Sequence, residues 1–195
     1  MPRPNLAAFL ALLLSLVSCQ AGPPPAGGAV LPDRISKTTV LVGQRQLEES
    51  EWAPVEDQFL LGAEYSSIST QANFGPEFGF NGSYASEDLG GLTLDATLLE
   101  AYLGGRIQST TGNARPFFGA GGVLTYGEIE LSNGFSSASA DDTVLGFYLH
   151  GGLSVRASES LEIVFDVRKR FGSDAEIEGV EIDVDYLTFA IGFSF

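Results

Sequence analysis

Basic residues are scarce in this chain: 10 Lys and Arg stand against 25 Asp and Glu, for a formal net charge of −15. The few cations are scattered. This excludes nucleic acid as a partner, because phosphate binding depends on clustered Lys and Arg that release counterions. A single Cys rules out an internal disulfide or a Cys-rich zinc site, and a single His rules out a multi-His metal centre. No apolar run reaches the roughly 20 residues that a membrane-crossing helix needs; the longest, Leu6–Val17, stops well short. Beyond Arg34 no apolar stripe recurs at helical spacing, and no repeat of solenoid or propeller length stands out. Yet 44% of the residues are hydrophobic and mean hydropathy is positive, which excludes disorder as a description of the whole. With 195 residues, the chain suits one domain in which apolar and acidic residues are segregated.

What is present begins with an address. Arg3 precedes the apolar run Leu6–Val17, a pattern that suits a secretory signal peptide. The run ends in Leu16-Val17-Ser18-Cys19, which resembles the lipobox of bacterial lipoprotein signal peptides. That resemblance implies cleavage before Cys19 and lipidation of its thiol. The alternative is an ordinary signal peptide cleaved after Ala21. Both export the protein. Residues 22–28, GPPPAGG, cannot continue a helix or join a central strand, so they read as a spacer. The expected organisation is a signal peptide over 1–18, a Pro/Gly-rich periplasmic spacer over 19–36 and a β-domain over 37–195.

The β-domain reads as eight segments of alternating residues separated by Gly, Ser, Asn and Asp clusters: Lys37–Leu47, Gln58–Ser67, Phe74–Ala85, Ala96–Ser109, Arg115–Leu131, Thr143–Ala157, Leu161–Phe171 and Val184–Phe195. In the last, Leu187, Phe189, Ile191, Phe193 and Phe195 oppose Tyr186, Thr188, Ala190, Gly192 and Ser194. In the sixth, Leu145, Phe147, Leu149 and Leu153 oppose Gly146, Tyr148, His150 and Gly152. One face is bulky and apolar; the other is small, with charges of both signs. A soluble barrel would turn the bulky face inward, whereas a membrane barrel turns it to lipid. Segment length, the Gly-rich second face and aromatic ends (Tyr65, Tyr84, Tyr126, Phe171, Phe195) favour the membrane. Charge placement argues the same way. The odd-numbered connections and their flanks hold 18 of the 25 acidic residues, while the even ones hold almost none. Such alternation suits long outer loops and short periplasmic turns.

The terminal segment Tyr186–Phe195 resembles the last strand of bacterial outer-membrane proteins, and Arg115-Pro116-Phe117-Phe118-Gly119-Ala120-Gly121 resembles a strand of the OmpA/OmpX-type eight-stranded barrel family. The resemblance covers about residues 37 to 195. It implies an all-β, eight-stranded, antiparallel up-and-down transmembrane barrel in the bacterial outer membrane. It also implies that Phe189, Ile191, Phe193 and Phe195 form the signal read by the barrel-insertion machinery. Lipid and lipopolysaccharide would be the barrel's surroundings, with a monomer favoured.

Within such a barrel Glu64, Glu77, Glu100, Arg106, Asp166, Arg168 and Arg170 share the interior face. A lone buried charge costs several kcal/mol, so these residues are expected to pair into a plug; an ion path, as proposed for OmpA-type barrels, is the other use. His150 and Ser154 lie on one face but roughly 13 Å apart at 3.3 Å per residue. That is too far for a nucleophile and its base, so no catalytic residue is expected, nor a cofactor or a metal ligand. The acidic rim could gather divalent cations diffusely. The function expected is structural or surface-interactive. The alternatives are a lipid-tethered, lipocalin-like soluble barrel for a small apolar ligand, a lipid A-modifying enzyme, and a narrow diffusion pore.

Overall fold

The computed structural model describes residues 33–48, 52–133, 136–172, 175–177, 180–182 and 184–195. The leader, Cys19 and the spacer up to residue 32 lie outside the described residues. The described elements are β1 (Arg34–Leu47), β2 (Asp57–Ser69), β3 (Phe74–Asp88), β4 (Thr93–Gln108), β5 (Ala114–Ser132), β6 (Ser137–Arg156), β7 (Glu162–Gly172), the short pair β8 (Ala175–Ile177) and β9 (Val180–Ile182), and β10 (Tyr186–Ser194).

Eight of these close into one antiparallel barrel in the order β1-β10-β7-β6-β5-β4-β3-β2, so every strand pairs with its sequence neighbour until β1 meets β10. The closing seam runs from Thr39 opposite Ser194 to Leu47 opposite Tyr186. Through the body of the barrel closure gives each long strand a neighbour on both sides and leaves no open edge, which a sheet surrounded by hydrocarbon requires. β8 and β9 form a separate two-stranded hairpin within the last long connection.

Several element bounds differ from the sequence reading. β1 starts at Arg34 rather than Lys37, because Arg34, Ile35 and Ser36 pair with Ser69, Ile68 and Ser67. β10 starts at Tyr186 rather than Val184. The third and fifth connections shrink to 89–92 and 133–136, because the β3–β4 and β5–β6 ladders continue through Asp88, Asp95, Glu128, Glu130, Asp141 and Asp142. The seventh carries the extra hairpin. The continued ladders matter for shape. β5 has 19 residues and β6 has 20, whereas a tilted strand crosses a hydrocarbon layer in about 9–11. Strands β3 to β6 therefore overshoot at the end where the acidic residues gather. At the opposite end the connections are short: 70–73, 109–113 and 157–161.

Side-chain parity is maintained around the barrel. Facing out are Phe59 (61% exposed), Leu103 (65%), Leu145 (64%) and Phe147 (62%), among many other large apolar side chains. The aromatic residues form two levels. Tyr84, Tyr126 and Phe171 lie toward the acidic end, and Tyr65 and Phe195 toward the short-turn end; the Tyr84 hydroxyl donates to Asp95 at 2.7 Å. Facing in are the charged and small residues. The distribution is inside-out relative to a water-soluble domain, in which large apolar side chains fill the interior.

A candidate site in the barrel interior

An eight-stranded barrel is just wide enough for its own side chains to fill it, and here they stack in layers. At the acidic end Leu47, Trp52, Val55, Ala96, Leu98, Val144, Val184 and Tyr186 form an apolar stopper. Trp52 and Val55 come from the first connection, whose turn is fixed by a Val55 N–H bond to the Trp52 carbonyl at 2.6 Å. This is the main apolar core; the middle of the barrel is polar.

Beneath the stopper lies Arg45, fully buried. Its Nη1 donates to Ser83 at 2.9 Å, and its Nη2 donates to Asn81 at 2.7 Å and Glu100 at 2.5 Å. Glu100 also accepts from Thr125 at 3.1 Å and Tyr186 at 2.9 Å, and the guanidinium stacks 4.1 Å from the Tyr186 ring. The middle layer centres on Glu64, which accepts from Arg106 at 2.5 Å, Arg168 at 2.9 Å and Tyr102 at 3.0 Å. Arg168 lies against two tyrosines, 4.0 Å from the Tyr102 ring centre and 4.9 Å from that of Tyr148. Tyr148 donates to Glu77 at 2.7 Å. His150 bridges Asp166 (2.7 Å from Nδ1) and Glu77 (2.8 Å from Nε2). At the short-turn end Glu162 gathers Arg115 at 2.8 Å, Lys37 and the Ser154 hydroxyl.

Glycines make this packing possible. A Cβ on Gly119 would stand 2.2 Å from His150 Nε2 and 2.6 Å from Glu77 Oε1, and one on Gly79 would stand 2.4 Å from the Tyr102 hydroxyl. Only the bare backbone lets these rings lie against the inner wall. The small-residue face seen in the sequence is thus the complement of a few large polar side chains opposite.

All seven interior residues singled out from the sequence lie inside and are buried. Glu64, Glu77, Arg106, Asp166 and Arg168 meet in the middle layer, and Glu100 meets Arg45 above them. Arg170 faces Asp185 at 3.5 Å from Nη1 among the described residues. Sequence reasoning missed Arg45, Arg115, Lys37 and Glu162, as well as the tyrosines that stack on the guanidinium groups. The inward face of β1 mixes Leu41 and Leu47 with Arg45, so a rule that sorts faces by bulk does not flag it. Phe189, Ile191, Phe193 and Phe195 all point outward and are exposed.

His150 and Ser154 are not brought together. Ser154 donates to Glu162, while the His150 ring nitrogens face Asp166 and Glu77. Glu64, Glu77 and His150 lie close enough to hold a cation, with ligand atoms within 4.8 Å of one another. Glu64, however, is already shared by two guanidinium groups, and a divalent ion there would meet both of them. The donor set is that of an ion-pair lock, not of a metal centre.

This closed arrangement is found in solved structures. Ail, the attachment invasion locus protein of Yersinia pestis, has a TM-score of 0.58 at 13% identity, covering 85% of this chain and 100% of that one. The chain has the fold of the small outer-membrane barrels. OprG from Pseudomonas aeruginosa gives 0.56 at 16% identity, covering 82% and 94% of the two chains. A major outer membrane protein of Thermus thermophilus gives 0.58 at 9%, covering 83% and 99%. No protein-family model matches the sequence, and no curated protein matches it significantly. At such identities the likeness is one of fold, and the interior network has to be read from this chain alone.

Proposed function

We propose that the protein is a bacterial outer-membrane barrel with a structural or surface-interaction role, its acidic strand extensions facing the exterior and its short turns the periplasm. The observation that carries this reading is the inverted polarity of a closed barrel. Large apolar side chains cover the outside while guanidinium and carboxylate groups fill the inside, an arrangement stable only where hydrocarbon surrounds the barrel. A lipocalin-like carrier of apolar ligands would need an apolar interior; here the middle of the barrel is taken by charges. The stacked layers leave the lumen to side chains, which supports a structural role over a pore. The separate engagements of His150 and Ser154 favour a non-catalytic one. The overshooting strands β3 to β6 carry Glu87, Asp88, Asp95, Glu128, Glu130, Asp141 and Asp142, which would present an acidic, hydrated surface above the membrane. Lipidation of Cys19 would add a tether; mass analysis of the mature N-terminus tests it.

The central test is solubility combined with heat-modifiability. A folded barrel needs detergent and runs faster on a gel before boiling than after it. Protease added to whole cells should cut at the acidic end and spare the short turns. A mature chain that stays monomeric in detergent-free buffer overturns the reading.

A further inference from the structure

Two neighbouring rows of outward residues cross the barrel wall where β1 closes onto β10. Register links Phe59 on β2 to Gln44 on β1, Phe189 on β10 and Val167 on β7. One outward step toward the short turns, it links Val42, Ile191, Phe165 and, on β6, Leu153. Between them runs the row Gly43, Ala190, Asp166 and Gly152. Its side chains turn inward, which leaves main chain as the floor of a groove of about 800 Å³. That volume lies in the range of ligand pockets, about 300–1,000 Å³. Five strands set roughly 4.8 Å apart make the groove about 19 Å long, the reach of a long acyl chain laid out straight.

The groove has two unlike ends. Phe59 pairs with Tyr84 at the aromatic level of the acidic end, whereas Leu153 lies three residues from Arg156, where β6 meets a short turn. The groove therefore descends obliquely through the depth of the wall. Its outward side chains are apolar except at the upper end, where Gln44 and Asp57 enter it. Both are exposed, and a carboxamide beside Phe59 and Phe189 in an apolar wall calls for a hydrogen-bond partner. The head of an occupant must suit an Asp57 carboxylate, which carries negative charge and accepts only. No Lys or Arg lines the groove among the described residues, and Lys169, one outward step above Val167, is paired with Glu48. A purely anionic head is repelled there. A quaternary ammonium brings charge but no donor, whereas a primary ammonium brings charge and three donors.

We propose that this groove is a lipid site: it seats one acyl chain of a membrane lipid whose head group carries a primary ammonium, held by Asp57 and Gln44. The proposal rests on the outer-membrane reading above, since it takes this wall to face hydrocarbon. It goes further in assigning one stretch of the wall to one class of lipid.

The test is native mass spectrometry of the mature full-length chain folded in detergent micelles. The micelles carry equal amounts of phosphatidylethanolamine, phosphatidylglycerol and phosphatidylcholine with the same acyl chains. The ethanolamine lipid should stay bound several-fold more than either of the others. Asp57→Asn removes the charge and should bring its retention down to theirs. Val167→Trp fills the groove and should lower retention of the ethanolamine lipid several-fold, whereas Leu103→Trp, on the opposite wall of the barrel, should leave it unchanged. Each variant is first shown to be heat-modifiable, hence folded. Equal retention of the three lipids overturns the proposal, as does a preference for the anionic one or an Asp57→Asn barrel with wild-type selectivity. Equal retention by the Val167→Trp and Leu103→Trp barrels does so too. A wild-type chain that is not heat-modifiable would instead refute the outer-membrane reading itself, so the two failures are distinguishable.

Discussion

Gly119 gives the sharpest test of how this interior is built. Replacing it with Ala adds one methyl group, and the site for it is occupied: the new Cβ would be 2.2 Å from His150 Nε2 and 2.6 Å from Glu77 Oε1. One of the two must move, and moving either breaks the 2.8 Å His150–Glu77 contact. Overpacking a filled interior costs about 1–3 kcal/mol, and a lost hydrogen bond to a charged group about 1.5–3 kcal/mol. Together these give a loss of roughly 3–5 kcal/mol for Gly119→Ala. The internal control is three residues along the same strand. Gly122 faces outward, and the nearest atom to its added Cβ is 4.0 Å away, so Gly122→Ala should be near neutral. Equilibrium urea unfolding in micelles measures both. A second variant isolates the cause: in a His150→Ala background the ring clash is gone and Glu77 is free to swing into the vacated space, so Gly119→Ala should cost about 1 kcal/mol or less. A Gly119→Ala loss below about 1 kcal/mol, or an equal loss with and without His150, would refute the claim that glycine is there to seat the ring.

Arg45→Leu leaves Glu100 in the interior with Thr125 and Tyr186 as its donors among the described residues and should cost about 3–5 kcal/mol; Arg45→Leu/Glu100→Leu should recover most of this by urea titration. Trp52→Ala empties the centre of the stopper and should cost about 3–5 kcal/mol, yet single-channel recording in planar bilayers should show no conductance, because the Glu64 layer lies beneath. Leu103→Arg places a charge on the apolar outer face and should lower stability by about 2–4 kcal/mol. Ser139→Arg, paired with Glu130 on the strand extension, should be neutral or slightly stabilising; equal effects of these two substitutions in the same unfolding assay would contradict the assignment of the outer face.

The origin of these contrasts can be traced residue by residue. A strand's side-chain period is two, so Phe165 and Val167 facing out forces Asp166 and Arg168 in, and the interior membership of seven charges was legible from spacing alone. What spacing cannot give is partnership. Arg168 meets Glu64, far away in the chain, because closure of β1 onto β10 brings β7 across from β2. Trp52 sits in a connection without periodicity, and its place in the stopper follows only from how that connection folds back. The acidic residues at 87–95 and 141–142 read as loops by composition, yet pairing carries the strands through them.

The sequence by itself determined that the chain alternates, that it does so eight times, which face is apolar, and at which end the acidic residues gather. Each of these is a local property, set by the two-residue period and by the spacing of turn residues. Only the tertiary structure decided which cation meets which carboxylate and which glycine stands under which ring. Those depend on register across the closed barrel, where a shift of one residue would turn every inward charge out to the apolar face.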